Sequence, residues 1–152
     1  MYKKVSSDMN FVDREKETVK FWKENEIFEK SIEERKDDPT YTFYDGPPTA
    51  NGKPHIGHVL TRVIKDMIPR YQAMKGKMVP RKAGWDTHGL PIELKALKKV
   101  GVTADISPLE LRQHCKDFAL YYMDNQRTQF KRLGVLGDFD NPYLTLRPEF
   151  EA

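Results

Sequence analysis

The sequence predicts an α/β fold built on a parallel sheet, and three observations carry that expectation. Segments of strand character alternate with segments of helical period, in the order strand, loop, helix, strand, loop, helix. The 152 residues suffice for one domain with a core of its own. Two Gly/Pro-rich loops, 45–58 and 83–91, each follow a predicted strand. Ligands of parallel sheets gather at the carboxyl ends of strands, so both loops are expected on one rim.

The elements follow in order. Asp13 to about Asn25 is highly charged with Val19 and Trp22 at helical spacing, which predicts a surface helix capped near Asp13. The charged run 33–39 reads as a solvated linker. Tyr41-Thr-Phe-Tyr44 has the aromatic and β-branched content of a short strand. Asp45-Gly-Pro-Pro48 stops it, because proline cannot continue a ladder. From Ile56, the positions Val59, Leu60, Val63, Ile64, Met67, Ile68 and Tyr71 describe one apolar face of a helix packed on a sheet, with Pro69 kinking or tightening its last turns.

Met78–Arg81 is read as the second strand, and 92–100 as a short helix stopped by Gly101. Ser107-Pro-Leu-Glu110 is a helix start: an N-cap serine, a proline in the first turn and a glutamate three residues on. The helix it opens is expected to reach about Leu133 and to bury Leu111, Cys115, Phe118, Tyr122, Phe130 and Leu133.

Composition narrows the function less. A net charge of +3 does not by itself announce a nucleic-acid binder. Basic residues do crowd the stretch from Lys65 to Lys99, whose acids are Asp66, Asp86 and Glu93. That excess fits a solvated face as well as a binding one. The single Cys115 excludes an internal disulfide framework and fits a reducing compartment. The start of the chain is too polar for a signal peptide and no apolar run reaches membrane-spanning length, so a cytoplasmic protein is expected.

The first loop reads Asp45-Gly-Pro-Pro-Thr-Ala-Asn-Gly-Lys-Pro-His-Ile-Gly-His58. Gly46, Gly52 and Gly57 leave room for a phosphate against the backbone. The helix that begins near Gly57 offers unpaired N–H groups and a partial positive charge. His55 and His58, one turn apart, can donate to phosphate oxygens and stabilise charge that grows in a transition state. They can equally be ordinary polar residues at a helix cap. Their spacing lacks the i, i+4 step and intervening glutamate of a helical zinc site, and no metal ligand is assigned. The loop is neither a Walker A sequence nor Gly-x-Gly-x-x-Gly.

The second loop, Gly84-Trp-Asp-Thr-His-Gly89, sets a carboxylate beside a large aromatic ring. A partly enclosed Asp86 suits a substrate ammonium, since charge-assisted hydrogen bonds strengthen away from water. It could as well bond its own backbone in a turn. Trp85 could be a pocket wall or pack beneath the loop.

Together these motifs carry a resemblance. Pro54-His-Ile-Gly-His58 after a strand, with Gly84-Trp-Asp-Thr-His-Gly-Leu-Pro-Ile-Glu93 downstream, resembles the N-terminal catalytic region of class I aminoacyl-tRNA synthetases, in their isoleucyl branch. Phe43-Tyr-Asp-Gly-Pro-Pro48 and Leu133-Gly-Val-Leu-Gly-Asp-Phe-Asp-Asn-Pro-Tyr143 are similar to that branch too, and the resemblance runs from roughly Phe11 to Ala152. Valyl enzymes usually carry Gly-Thr-Asp-His-Ala-Gly as the second motif, and leucyl enzymes tend to have Phe before Gly-Leu-Pro.

The resemblance implies a partial Rossmann-like nucleotide-binding fold preceded by an N-terminal helix. Residues 1–40 would be a helical extension and linker, and 41–152 the first half of the catalytic domain. It implies ATP-dependent activation of isoleucine to isoleucyl-adenylate and transfer to its tRNA. His55 and His58 would be catalytic and contact the ATP phosphates together with Gly57. Pro48, Thr49, Ala50, Asn51 and Gly52 would form the floor beneath the nucleotide. Asp86 would hold the ammonium of the amino acid, with Gly46, Pro47 and Trp85 around it, and Mg2+ would accompany ATP.

The family's Lys-Met-Ser-Lys-Ser loop, editing insertion and anticodon-binding region have no counterpart in the sequence; Lys77-Met78 is followed by Val79-Pro80. The chain therefore reads as an N-terminal fragment, weak or inactive alone, with tRNA met mainly through regions absent here. The alternatives are a non-catalytic module that binds nucleotide, tRNA or protein, and a valyl- or leucyl-type fragment.

Overall fold

The computed structural model describes residues 7, 10–101 and 106–150. Its elements are helices α1 (Phe11–Glu24), α2 (Ile27–Glu33) and α3 (Ile56–Met74), strand β1 (Lys82–Trp85), helices α4 (Leu90–Val100) and α5 (Pro108–Arg132), strand β2 (Asp138–Leu144) and a 3₁₀ turn, Pro148–Phe150. The strands run parallel, with α4 and α5 forming the crossover between them. This is the expected α/β class with parallel strands behind an N-terminal helix.

Several boundaries differ from the sequence expectation. The cap of α1 is Asn10, whose side chain accepts from the Asp13 N–H, so Asp13 sits inside the first turn. Residues 27–33, of which only the last falls in the expected linker, form α2, reached through Glu26 in the left-handed region at φ 51°. Tyr41–Tyr44 does not become a strand. The extended segment is tied by single parallel bridges, Thr40 to Met78 before it and Thr49 to Asp86 after it. The second strand also starts later than expected, at Lys82, because Pro80 has no N–H for a ladder.

Its partner β2 was not legible, since Asp138, Asp140, Asn141 and Pro142 are poor strand formers. The register shows how they are accommodated. Lys82 faces Asp138 while Gly84 faces Tyr143, so the extra residues of β2 bulge around Pro142. Gly84 suits this pairing: a Cβ there would lie 3.3 Å from that of Tyr143, a tight contact.

The core lies where α4 and α5 pack on the strands, and consists of Ala50, Trp85, Ile92, Ala96, Phe118, Ala119, Phe130, Phe139 and Leu144. α5 has the predicted Ser107–Glu110 capping box and buries Phe118 and Phe130. Leu111, Cys115 and Tyr122 are half-buried, and Leu133, at the C-cap, is exposed. Gly101 ends α4 at φ 71°, as expected of a glycine stop.

α3 departs most from expectation. Its apolar face is turned outward: Ile56, Leu60, Val63, Ile64, Met67, Tyr71 and Met74 are all exposed, and its buried residue is Pro69, past which the helix continues. It is attached instead by charge. Arg62 and Lys65 pair with Asp45, and Asp66 pairs with Arg70 and Arg81. The Arg62 guanidinium stands 5.2 Å over the Phe130 ring, and that of Arg70 stands 5.1 Å over Trp22. Periodicity identified an apolar face but not its cover: the two strands are already occupied by α4 and α5. The same pairs account for part of the basic excess after Lys65, which is spent inside the molecule.

Candidate functional site

The two unusual loops meet. Asp86 N–H donates to the Pro48 carbonyl over 3.0 Å, and Ala50 N–H donates to the Asp86 carbonyl over 2.8 Å. This parallel bridge continues β1 by one residue and lays the 48–52 turn along the carboxyl end of the strand. Side chains reinforce it. The Thr49 hydroxyl lies 3.2 Å from Asp86 Oδ2, and the Thr145 hydroxyl lies 3.3 Å from Oδ1. His88 Nδ1 is 3.9 Å from the same Oδ1. The Asp86 carboxylate is thus fixed by two threonines from different segments while remaining about one-third exposed.

A hydroxyl chain lies behind it. Leu146 N–H donates to Thr87 Oγ1, Thr87 Oγ1 lies 3.3 Å from Thr145 Oγ1, and Thr87 N–H donates to Thr145 Oγ1. A carboxylate only accepts, so the consistent direction is Thr87 to Thr145 to Asp86.

The histidines occupy the first turn of α3. His55 is the N-cap, and its Nδ1 accepts the Gly57 N–H over 3.1 Å. His58 Nδ1 accepts the His55 N–H over 3.2 Å. Both Nδ1 atoms are therefore acceptors, which leaves each ring's proton on Nε2, the tautomer this bonding network assigns. The rings are 3.9 Å apart between centroids. Burial foremost, then His55 and Arg62, lowers the His58 pKa and keeps the ring neutral.

This capping changes the anion reading. The Gly57 and His58 N–H groups expected to be free are engaged by His55 Nδ1 and the His55 carbonyl. The side-chain donors that the two histidines keep for an anion are their Nε2–H groups.

The other predicted positions divide into surface and support. Gly46 and Pro47 are exposed, with Asp45 beside them held by Arg62 and Lys65. Pro48, Thr49, Asn51 and Gly52 are half-buried in the turn, whereas Ala50 is fully buried. Trp85 is 1% exposed and packs in the core against Phe139, beneath the loop. Among the described residues no group of three or more His, Cys, Asp or Glu side chains could hold a metal ion, and no helix is long and apolar enough to cross a membrane.

Three residues at this rim escaped the sequence reading. Thr145 follows β2, which was itself unread. The Lys95 ammonium donates to the Asn51 carbonyl over 2.9 Å. Gln126 on α5 reaches the turn from below, and its signal was present: it interrupts the apolar stripe of Phe118, Ala119, Tyr122 and Phe130 with a polar side chain.

Comparisons with known proteins identify relatives of the chain. The family model described as tRNA synthetases class I (I, L, M and V) matches residues 17–152. The chain is 52% identical over 153 residues to the isoleucine–tRNA ligase of Nostoc sp., covering 98% of this chain and 16% of that protein. It is 50% identical over 144 residues to that of Caldicellulosiruptor bescii, covering 94% of this chain and 16% of that protein. The chain thus spans about a sixth of the length of these relatives. A leucyl enzyme from Agrobacterium radiobacter, solved as a LeuRS-tRNA-LeuAMS ternary complex, has the same fold here, with TM-score 0.74 at 23% identity over 94% of this chain and 16% of that one.

Proposed function

This chain belongs to the class I tRNA synthetases of the I, L, M and V group, and from that membership we propose that it supplies the nucleotide and amino-acid half of an isoleucine-activating site in a longer, cytoplasmic isoleucine–tRNA ligase. Residues 41–152 would be the first half of the catalytic domain and 1–40 its helical extension. The observation that carries the reading is the bridge between Thr49 and Asp86, which sets the 48–52 turn and a carboxylate on one rim.

In this reading ATP lies over Pro48, Thr49, Asn51 and Gly52, with its phosphates toward α3. The Nε2–H groups of His55 and His58 donate to phosphate oxygens, already oriented by their Nδ1 bonds. Asp86, beside Gly46 and Pro47, holds the ammonium of isoleucine. A carboxylate oxygen of the amino acid attacks the α-phosphorus, a new P–O bond forms and the bond to the bridging oxygen breaks. Pyrophosphate leaves with that electron pair, and isoleucyl-adenylate remains for transfer to the tRNA for isoleucine. Mg2+ bound with ATP would supply charge neutralisation at its phosphates.

Isoleucine-dependent ATP–pyrophosphate exchange tests the reading in the full-length protein that carries this sequence. Exchange is expected to be robust there, weak or absent for the 152 residues alone, and lost in a His55→Ala/His58→Ala double variant. Much faster exchange with valine or leucine overturns the specificity. Full exchange by the double variant overturns the histidine roles.

A further inference from the structure

The strongest feature outside these assignments is a buried polar side chain that touches both loops. Gln126 is 1% exposed and lies in the C-terminal half of α5. A side-chain amide in such a place is costly unless every group is bonded. Here each is. Nε2 donates to the Thr49 carbonyl over 3.1 Å and to the Gly52 carbonyl over 2.9 Å. Oε1 accepts the indole N–H of Trp85 over 3.0 Å.

The orientation of the amide is unambiguous. Indole can only donate and carbonyls can only accept, so the oxygen must face Trp85 and the nitrogen must face the turn. No other side chain of this length offers two donors and an acceptor in that order. The turn it grips is the proposed floor of the nucleotide site, and the indole it holds immediately precedes Asp86. Since Gln126 is sealed from solvent, it cannot itself meet a substrate.

We infer that Gln126 is the positioning residue that sets the nucleotide turn and the amino-acid loop against each other, so that ATP and isoleucine are bound in register. The inference rests on the activation reading above, and it adds a coupling between the two subsites. Disturbing Gln126 must therefore affect both substrates at once, unlike a change at Asp86 or at the histidines.

The test uses Gln126→Met, which keeps length and removes all three bonds, and Gln126→Glu, which keeps only the acceptor for Trp85. In the full-length protein both variants are expected to raise KM for ATP and for isoleucine together, by about fivefold or more each. The Gln126→Glu defect is expected to shrink between pH 8 and pH 6, as protonation restores one donor, while the Gln126→Met defect stays flat.

Amide hydrogen exchange gives a readout independent of activity: Ala50 and Asp86 N–H should both exchange faster in Gln126→Met. Unchanged KM values with kcat reduced only in proportion to the folded fraction overturn the inference. So does unaltered exchange at those two amides, even in an inactive protein. A wild-type protein without isoleucine-dependent activity sinks the activation reading instead, and the amide measurement then still decides whether Gln126 couples the loops.

Discussion

The hydroxyl of Thr145 stands 3.3 Å from Oδ1 of Asp86, joining residues 59 apart at the carboxyl end of the two strands. Thr145 N–H also reaches the Trp85 carbonyl over 3.3 Å, so the contact is an extension of the strand pairing. Thr145→Val keeps the shape and removes the hydroxyl. In the full-length protein its expected effect is a rise of roughly fivefold in KM for isoleucine, about 1 kcal/mol for a hydrogen bond to a partly exposed carboxylate. KM for ATP should stay within about twofold. Asp86→Ala is expected to show the same selectivity with a larger rise. Equal changes for both substrates would mean that the pair holds the loop rather than the ammonium.

The His58 ring gives a pH dependence whose sign is fixed by its surroundings. Its pKa lies below the ordinary 6.5, through burial first and then through His55 and Arg62. The unfolded chain therefore takes up that proton at higher pH than the folded one. The stabilisation from the neutral ring is complete above pH 6.5 and is lost as pH falls through the lower folded value. Protonation also removes the Nδ1 lone pair that accepts the His55 N–H. Tm should fall from pH 7.5 to pH 5 more steeply in the wild type than in His58→Gln, because glutamine can cap at this position without titrating. Parallel Tm curves for the two proteins would remove His58 from the account.

Legibility in the sequence followed how local the cause was. The capping box at Ser107, the Gly101 stop and the start of α3 depend on a few adjacent residues, and all three formed. The joining of the two loops followed from the general placement of ligand loops in parallel sheets. What failed depended on distant partners. β2 is a strand only because Lys82–Trp85 pairs with it, against the preferences of Asp138 and Pro142. Gln126 and Thr145 act across more than 50 residues, and nothing beside them in the sequence names their targets. The period of α3 was correct and its packing was not, since spacing alone cannot say which surface is covered.

That outward face predicts the behaviour of the 152 residues in isolation. Leu60, Val63, Ile64, Met67 and Tyr71 form a contiguous apolar stripe along α3, of the kind that drives association when left open. The isolated chain is expected to bind a hydrophobic dye and to self-associate at concentrations of tens of micromolar or so. A Leu60→Lys/Met67→Lys variant should abolish both with little change in Tm, since neither side chain is buried. Sedimentation velocity decides it: a wild-type chain that stays monomeric and dye-free contradicts the exposed face.

The attachment of α3 gives the last prediction, because several of its contacts converge on one carboxylate. Asp66 accepts from Arg70 Nε, from Arg81 Nη1 over 2.9 Å and from the Leu136 N–H over 3.3 Å. Its side chain is 11% exposed and that of Arg81 12%. Burial lowers the Arg81 pKa, Asp66 opposes the shift and Arg70 adds to it, so Asp66 is the counter-charge of this largely buried guanidinium. Asp66→Asn retains the size but leaves Arg81 without its counter-charge. Removing one member of a buried pair costs about 3 kcal/mol, a large share of the stability of a domain. Replacing both, as Asp66→Leu/Arg81→Met, removes the uncompensated charge and should cost less than Asp66→Asn alone. Urea unfolding of the three proteins measures the difference directly. If Asp66→Asn costs under about 1 kcal/mol, the pair behaves as a surface ion pair and α3 is held by other contacts.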